Sequence, residues 1–177
     1  MNANNKMKNM TASTIVLLIT AFSTALITGL FYSYSCSVNP GLAKLADREY
    51  LLAMQSINRA ILNPVFFASF MGTLLLLPLS AWLMYKQPGA NGFVLILLAL
   101  LVYGAGVWGV TMAGNVPLNE ALDKFNIAAA DADAIKQQRI SFEKPWNRLH
   151  TIRTLATVIS LILVLIACVT RYPAPEK

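Results

Sequence analysis

The 177-residue chain has the length of one ordinary domain, but its composition excludes a water-soluble one. Apolar residues make up 56% of it and charged residues only 12%, whereas a soluble domain carries about 25% charged residues. The net charge of +6 comes from basic residues scattered along short connectors. That distribution argues against nucleic acid as a partner and favours contact with lipid head groups.

Four apolar runs of at least 20 residues predict four transmembrane helices. They cover residues 14–38, 65–85, 93–113 and 149–169. A helix satisfies its own backbone hydrogen bonds in lipid, which an isolated strand does not. The predicted fold class is therefore all-α, a four-transmembrane-helix bundle. It forms a single domain over residues 14–170, between polar tails at 1–13 and 171–177.

Two connectors carry helical patterns of their own. Residues 47–62 have apolar side chains at helical spacing, and Asp47 can cap the start, which predicts an amphipathic interfacial helix between helices 1 and 2. Residues 126–143 are rich in Ala and Gln and predict a polar helix between helices 3 and 4. Asn63-Pro64 and Pro145-Trp146 place a proline at a predicted first helical position.

An even number of spans puts both termini and the 86–92 turn on one side of the membrane. That side carries five basic residues and the opposite side nine, which by the positive-inside rule favours the opposite side as cytoplasmic. Several of those nine belong to the candidate site described next, so we discount them. We expect a multi-pass protein of a bacterial cytoplasmic membrane with both termini cytoplasmic.

Polar side chains gather at the opposite membrane face, where helices 1 and 3 end and helices 2 and 4 begin. Trp, Tyr, Lys and Arg are common at any membrane interface, but a concentration of Asn and Gln is not explained that way, so we predict a pocket. Its predicted catalytic residues are His150, Arg153, Asn115 and Asn119. Its predicted substrate-binding residues are Gln55, Asn58, Arg59, Asn39, Tyr34, Trp146 and Asn147.

Charge at this face predicts the kind of ligand. The two helix starts at Pro64 and Pro145 would direct partial positive charge at the pocket, and Arg59, Arg148 and Arg153 add full charges. An anionic or enolisable ligand whose apolar body stays in the bundle is expected. His150 is expected at a helix entrance, with few side chains packed around it.

Gly104-x-Gly106-x-x-Gly109 matches the dinucleotide-binding fingerprint, but that fingerprint requires a preceding strand and a helix that opens at the glycines. Here the motif lies inside a predicted transmembrane helix. The four-residue repeat of Ala105, Gly109 and Ala113 instead predicts close helix packing. With one histidine and two cysteines, a usual metal site is not expected either. We therefore expect no cofactor and no metal.

Several of these segments resemble the anthrone-oxygenase-like family, small membrane proteins with four helices. The matching stretches are Ser37–Leu42, Met54–Arg59, Asn63-Pro64, Asn115–Asn119, and Trp146-Asn147 followed by Arg153. The resemblance implies family membership, and it implies an activity like that of fungal members, which oxidise polyketide anthrones. His150 belongs to no motif of this resemblance, and its role rests on chemistry.

Two hypotheses follow. In the first, the protein is a cofactor-independent oxygenase acting on an aromatic or polyketide-like lipophile. His150 would be the general base, with an ordinary pKa near neutrality. Asn115, Asn119 and Gln55 would donate hydrogen bonds to the enolate oxygen, and Arg153 or Arg59 would stabilise its charge.

In the second, the protein binds without catalysis. The pocket would hold a lipid head group or a quinone, or dock a partner protein that the 126–143 segment contacts. Under either hypothesis the expected partners are membrane lipids and a lipophilic aromatic or anionic small molecule. The sequence leaves the oligomeric state open, with a homo-oligomer compatible.

Overall fold

The computed structural model describes residues 11–85 and 91–170, and over these ranges it contains helices and turns but no strand. Four helices are long and apolar enough to cross a membrane. They are α1 (Ala12–Leu42), α3 (Pro64–Tyr85), α4 (Gly92–Lys124) and α5 (Ala132–Thr170). A shorter helix, α2 (Asp47–Ala60), connects α1 to α3. The predicted all-α fold with four transmembrane helices is confirmed, and the chain is an integral membrane protein. The predicted tails, 1–13 and 171–177, lie outside the described residues except for 11–13.

The fourth span is longer than predicted. The separate helix expected over 126–143 is wrong, because the chain turns at 126–131 and α5 then runs unbroken through Pro145. Phe142 and Trp146, on either side of the proline, are both buried and stack at 6.3 Å between ring centroids. This packing holds the helix together across the missing proline hydrogen bond. At 1.5 Å per residue α5 is roughly 58 Å long, about twice the ~30 Å hydrocarbon core. Its first half therefore extends beyond the membrane.

Helix α2 packs against that extension. Tyr50, Leu51 and Met54 are buried in a cluster with Phe142 and Trp146. Burial raises the pKa of the Tyr50 phenol. The predicted cap at Asp47 is wrong, since the helix begins after Ala46 and the Asp47 carboxylate accepts a hydrogen bond from Arg139 instead. The predicted location of α2 at the membrane interface stays a prediction.

The membrane-spanning part of the bundle is joined by hydroxyl pairs and close helix approach. Thr20 bonds Ser80 at 2.8 Å and Ser23 bonds Thr73 at 2.9 Å, both between α1 and α3. Such pairs are common where lipid removes the hydrophobic driving force between helices. The Tyr103 hydroxyl donates to the Phe70 carbonyl at 2.9 Å and joins α4 to α3.

The small-residue face of α4 differs from the predicted one. A Cβ added to Gly106 would lie 2.6 Å from the Cβ of Ala156, and one added to Gly114 would lie 2.7 Å from Leu149, so these two glycines bring α4 against α5. Ala105 and Ala113 are exposed instead. The chain adopts π-helical turns over Gly104–Gly109 and Thr111–Asn115. Each wider turn shifts the helix face, so a regular four-residue repeat does not mark the contact.

Candidate functional site

A cavity of about 130 Å³ lies at the end of the bundle where α1 ends and α3 begins. Six aromatic side chains line it: Phe31, Tyr34, Phe66, Phe67, Phe70 and Trp146. Six polar side chains line it as well: Asn58, Thr111, Asn115, Asn119, His150 and Arg153. The four residues predicted as catalytic therefore border one cavity, together with three of the seven predicted to bind substrate.

Local irregularities in the helices place these side chains. A π-helical turn over Tyr34–Val38 ends the regular part of α1, and another over Thr111–Asn115 carries two of the polar lining residues. π-helical turns are frequent at functional sites because they redirect side chains without breaking the helix. On the facing helix, the Asn63 side-chain oxygen accepts the Phe66 backbone N–H at 3.0 Å. Asn63 therefore caps α3 and fixes its start beside the cavity.

Arg153 is the buried charge of the site, with 7% of its surface exposed. Its guanidinium donates to Thr111 Oγ1 and to His150 Nδ1, each at 3.3 Å. It also lies 4.6 Å from the ring centroid of Phe31 and 5.5 Å from that of Trp146, a favourable cation–π geometry. None of the ion pairs found within residues 11–85 and 91–170 involves Arg153, and its Nε–H has no hydrogen-bond partner there. An unpaired buried charge is costly, so this position suits an anionic or enolic ligand oxygen.

His150 is almost completely enclosed, at 2% exposure. The expectation that few side chains pack around it is wrong, because its ring stacks on Trp146 at 5.2 Å with 8° between the planes. The Phe31 carbonyl, which can only accept, and the Ser35 hydroxyl each lie 3.1 Å from Nε2, and a hydrogen on Nε2 suits both contacts. Arg153 can only donate, so Nδ1 is the acceptor. These contacts together fit a neutral imidazole with the hydrogen on Nε2.

The cavity amides leave polar atoms without partners. Asn115 is 1% exposed. Its Nδ2 donates to the Trp146 carbonyl at 3.4 Å, while its Oδ1 has no partner among the described residues. The same holds for Nδ2 of Asn58. Asn119 Oδ1 accepts the Trp146 indole N–H at 2.8 Å. Because buried polar atoms are nearly always hydrogen-bonded, the free acceptor of Asn115 and the free donors of Asn58 and Arg153 describe a ligand with both an acceptor and a donor.

Four residues predicted to bind substrate do not line this cavity: Gln55, Arg59, Asn39 and Asn147. Gln55 donates to the carbonyls of Leu122 and Phe125, at 2.8 and 3.1 Å, and so closes the end of α4. Arg59 forms an exposed ion pair with Asp123. Of the two predicted amides on α2, only Asn58 faces the cavity, because Gln55 lies on the side that contacts the end of α4. Because none of the four borders the cavity, their role in substrate binding stays a prediction that their location does not support.

The structure also places less positive charge at the cavity than the sequence predicted. Pro145 lies inside α5, so only α3 begins at the cavity, and Arg148 and Arg59 are not among its lining residues. Arg153 is therefore the one cation among the described residues that border the cavity. Within the same ranges no group of three or more His, Cys, Asp or Glu side chains could hold a metal ion.

Sequence reasoning missed most of the aromatic wall, namely Phe31, Phe66, Phe67 and Phe70. In a transmembrane helix phenylalanines are ordinary lipid-facing residues, so composition gives no signal. The spacing of the three in α3 was the available clue, because Phe70 is a helix neighbour both of Phe66, four residues before it, and of Phe67, three residues before it.

A comparison with models of protein families shows which family the chain belongs to. The model described as anthrone oxygenase matches residues 65–163, which is 99 of the 177 residues. The chain belongs to the anthrone oxygenase family. No curated protein and no solved structure matched it.

The anthrone oxygenase match covers nearly all of α3, all of α4 and most of α5. Asn115, Asn119, Trp146, His150 and Arg153 therefore lie within the family region. Another part of the cavity wall, with Phe31, Tyr34 and Asn58, comes from residues before the match.

Proposed function

We propose that this member of the anthrone oxygenase family oxidises an enolisable aromatic lipophile with O₂ in the cavity, without a bound cofactor. The observation that carries the proposal is the guanidinium of Arg153, which has no anionic partner among the described residues and lies in an aromatic cavity. Asn115, whose side-chain oxygen has no hydrogen-bond partner there, lines the same cavity. An enolate oxygen would pair with that charge, and a neighbouring hydroxyl would donate to Asn115.

The reaction balances without any further reagent. A base removes one proton from the methylene carbon opposite the carbonyl of an anthrone, and the electron pair spreads onto the carbonyl oxygen. The carbanion then attacks O₂, which forms a C–O bond and a peroxide. Loss of the second methylene hydrogen with cleavage of the O–O bond gives the quinone and water. The carbon gives up four electrons, and O₂ takes them, with one oxygen atom in the product and one in water.

Arg153 and Asn58 would hold the developing enolate oxygen as hydrogen-bond donors. His150 would take the proton at Nδ1, the nitrogen that Arg153 now contacts at 3.3 Å. Arg153 would thus transfer that hydrogen bond to the substrate oxygen and release the lone pair of Nδ1. A positioned base of this kind contributes about 10²–10⁴-fold to rate. Asn119 would act through Trp146, whose indole it orients.

A second candidate function is non-catalytic binding of a lipophile such as a quinone or a lipid. The observation that favours it is the engagement of both ring nitrogens of His150 by Phe31 and Arg153. No carboxylate is among the described residues that line the cavity, so no other ordinary base is at hand. An assembly role through 126–143 has less support, because this segment uses Ile135 and Phe142 to pack on α2.

Oxygen uptake with 1,8-dihydroxyanthrone separates the two. Purified protein in detergent should accelerate uptake above the spontaneous rate, with one O₂ consumed per quinone formed. Arg153→Met should return the rate to background. Arg59 is a cation outside the cavity, so the rate of Arg59→Met should stay within about twofold of the wild-type rate. Binding of the anthrone with no accelerated uptake would favour the non-catalytic function.

A further inference from the structure

The cavity has an apolar rim on the outer surface of the bundle. Leu62, Phe67 and Met112 line the same cavity as Arg153, yet they are 66%, 43% and 46% exposed. Helix α3 has 22 residues, a length of about 33 Å that matches the hydrocarbon core. Phe67 stands one turn inside α3, so its exposed side faces the outer part of the acyl chains. A water-facing mouth would carry polar side chains at this rim.

The other lining residues are buried or half-buried. Ile57 and Asn58 of α2, with Ile61 directly after the helix, form the wall at the end of the bundle. Phe31, Phe70 and His150 are buried on the interior side. The gap that remains lies between α3 and α4.

The packing of α4 explains this gap. Tyr103 bonds to Phe70 and joins α4 to α3. Beyond that point Gly106 and Gly114 bring α4 close to Ala156 and Leu149 of α5. The part of α4 that carries Met112 therefore packs toward α5, and space opens on the α3 side.

The cavity is too small for a large ligand to lie wholly inside. Its volume of about 130 Å³ compares with the roughly 150 Å³ of an engineered apolar cavity that binds benzene. One ring therefore fits beside Arg153, and the remainder of a larger molecule must extend outward. The apolar rim is the direction in which it can do so without burying carbon against water.

We propose that the cavity opens sideways into the bilayer between α3 and α4, at Leu62, Phe67 and Met112. Its ligand is then a membrane-dissolved phenolic or enolic lipophile that enters through this opening. One oxygen-bearing ring lies at Arg153 and Asn115, and the apolar remainder occupies the opening. The inference rests on the proposed binding of a lipophile at this site but not on its oxidation.

Cysteine protection in vesicles tests the opening. Met112→Cys is placed in a background with Cys36→Ser and Cys168→Ser, and Phe67→Cys provides a second variant of the rim. The matched control is Leu101→Cys, which lies on α4 with 59% exposure and does not line the cavity. Each variant is treated with pyrene maleimide, which dissolves in the membrane, and with a charged maleimide added to both sides. The binding probe is 1,8-dihydroxyanthraquinone, which needs no turnover.

We expect the membrane-soluble reagent to modify all three cysteines and the charged reagent to modify none. At a probe concentration about ten times its Kd, mass action should slow modification at both rim positions roughly tenfold and leave Leu101→Cys within about twofold. Adding Arg153→Met should remove this protection. Fast modification of Met112→Cys and Phe67→Cys by the charged reagent would show a water-facing mouth and overturn the proposal, and so would absence of protection at both positions.

The same vesicles distinguish this inference from the proposed function. Protection at the rim with no accelerated oxygen uptake from 1,8-dihydroxyanthrone would keep the lateral opening and remove the oxygenase. Accelerated uptake with no protection at the rim would keep the oxygenase and remove the opening.

Discussion

Arg153 and His150 are one turn apart on α5, and the guanidinium of the first donates to Nδ1 of the second at 3.3 Å. The contact joins the single histidine of the chain to a buried cation that has no carboxylate partner among the described residues. It also makes each residue depend on the other. The guanidinium occupies the lone pair of Nδ1, and His150 in turn holds Arg153 at the cavity. In the proposed mechanism, a ligand that draws Arg153 away would leave Nδ1 free to act as the base.

Replacing Arg153 should separate stability from function. Arg153→Met keeps a side chain of similar length and removes a buried charge that has no anionic partner within the described ranges, and such a charge is costly to bury. The melting temperature in detergent should stay the same or rise. Affinity for 1,8-dihydroxyanthraquinone should fall about 10–100-fold, the loss of one charge-assisted hydrogen bond. Titration by fluorescence measures it, with Arg59→Met as control. A clear fall in melting temperature with unchanged affinity would mean that Arg153 is structural.

His150→Gln tests the base assignment. Glutamine keeps much of the volume and can still bond Arg153, but it takes no proton, so turnover of 1,8-dihydroxyanthrone should fall about 10²–10⁴-fold. Affinity for the quinone probe should change little, because a base acts in the transition state. His150→Ala is a poor choice, since truncating a ring stacked on Trp146 leaves a cavity. Wild-type turnover in His150→Gln would make His150 a positioning residue for Arg153.

The membrane fold could be predicted because the lipid environment leaves few solutions. An apolar run of about 20 residues has to be a helix there, and Asn63-Pro64 marks a helix start by local chemistry alone. Connectivity then brings the end of α4 and the middle of α5 to one membrane face. This is why Asn115, Asn119, His150 and Arg153 could be grouped from the sequence. Their chemical roles stay predictions.

What could not be predicted depends on tertiary packing. Pro145 marks a helix start by local rules, but the stacked rings of Phe142 and Trp146 carry α5 past it. Gln55 and Asn58 are three residues apart on α2, and nothing local says which of them faces the cavity. The π-helical turns also have no sequence signature of their own, although they decide which side of α4 meets α5.

Arg139 should be important for stability and not for binding. Its guanidinium donates to Asp47 at 2.9 Å, to Glu143 at 2.7 Å and to the Leu45 carbonyl at 2.8 Å. It thereby holds the start of α2 against α5. Arg139→Lys keeps the charge but loses the fork of donors, and we expect a loss of about 1–3 kcal/mol. Thermal unfolding in detergent measures it, against exposed Arg148→Lys. Equal melting temperatures for the two variants would contradict this clamp.

The orientation of the chain can be tested by labelling intact cells. In a cysteine-free background, Ala46→Cys and Ala130→Cys should react with a membrane-impermeant maleimide from outside. Cysteines at positions 5, 89 and 175, which lie outside the described residues, should react only after the membrane is opened. Mixed accessibility within either set would overturn the four-span topology, and reversed accessibility would place both termini outside the cell.

Two asparagines, one that lines the cavity and one that does not, give the sharpest test of ligand chemistry. Asn115 and Asn147 each have a side-chain oxygen without a hydrogen-bond partner among the described residues, but only Asn115 lines the cavity. If Asn115 accepts a ligand hydroxyl, wild type should prefer 1,8-dihydroxyanthraquinone over anthraquinone. A site built to hydrogen-bond a hydroxyl discriminates against the analogue that lacks it. Asn115→Leu should lose this preference by about tenfold in the ratio of Kd values, because leucine has similar size and no acceptor. Asn147→Leu should keep it. Retention of the preference in Asn115→Leu would mean that another group recognises the ligand hydroxyl, such as the unpartnered Nδ2 of Asn58, which would donate to the hydroxyl oxygen.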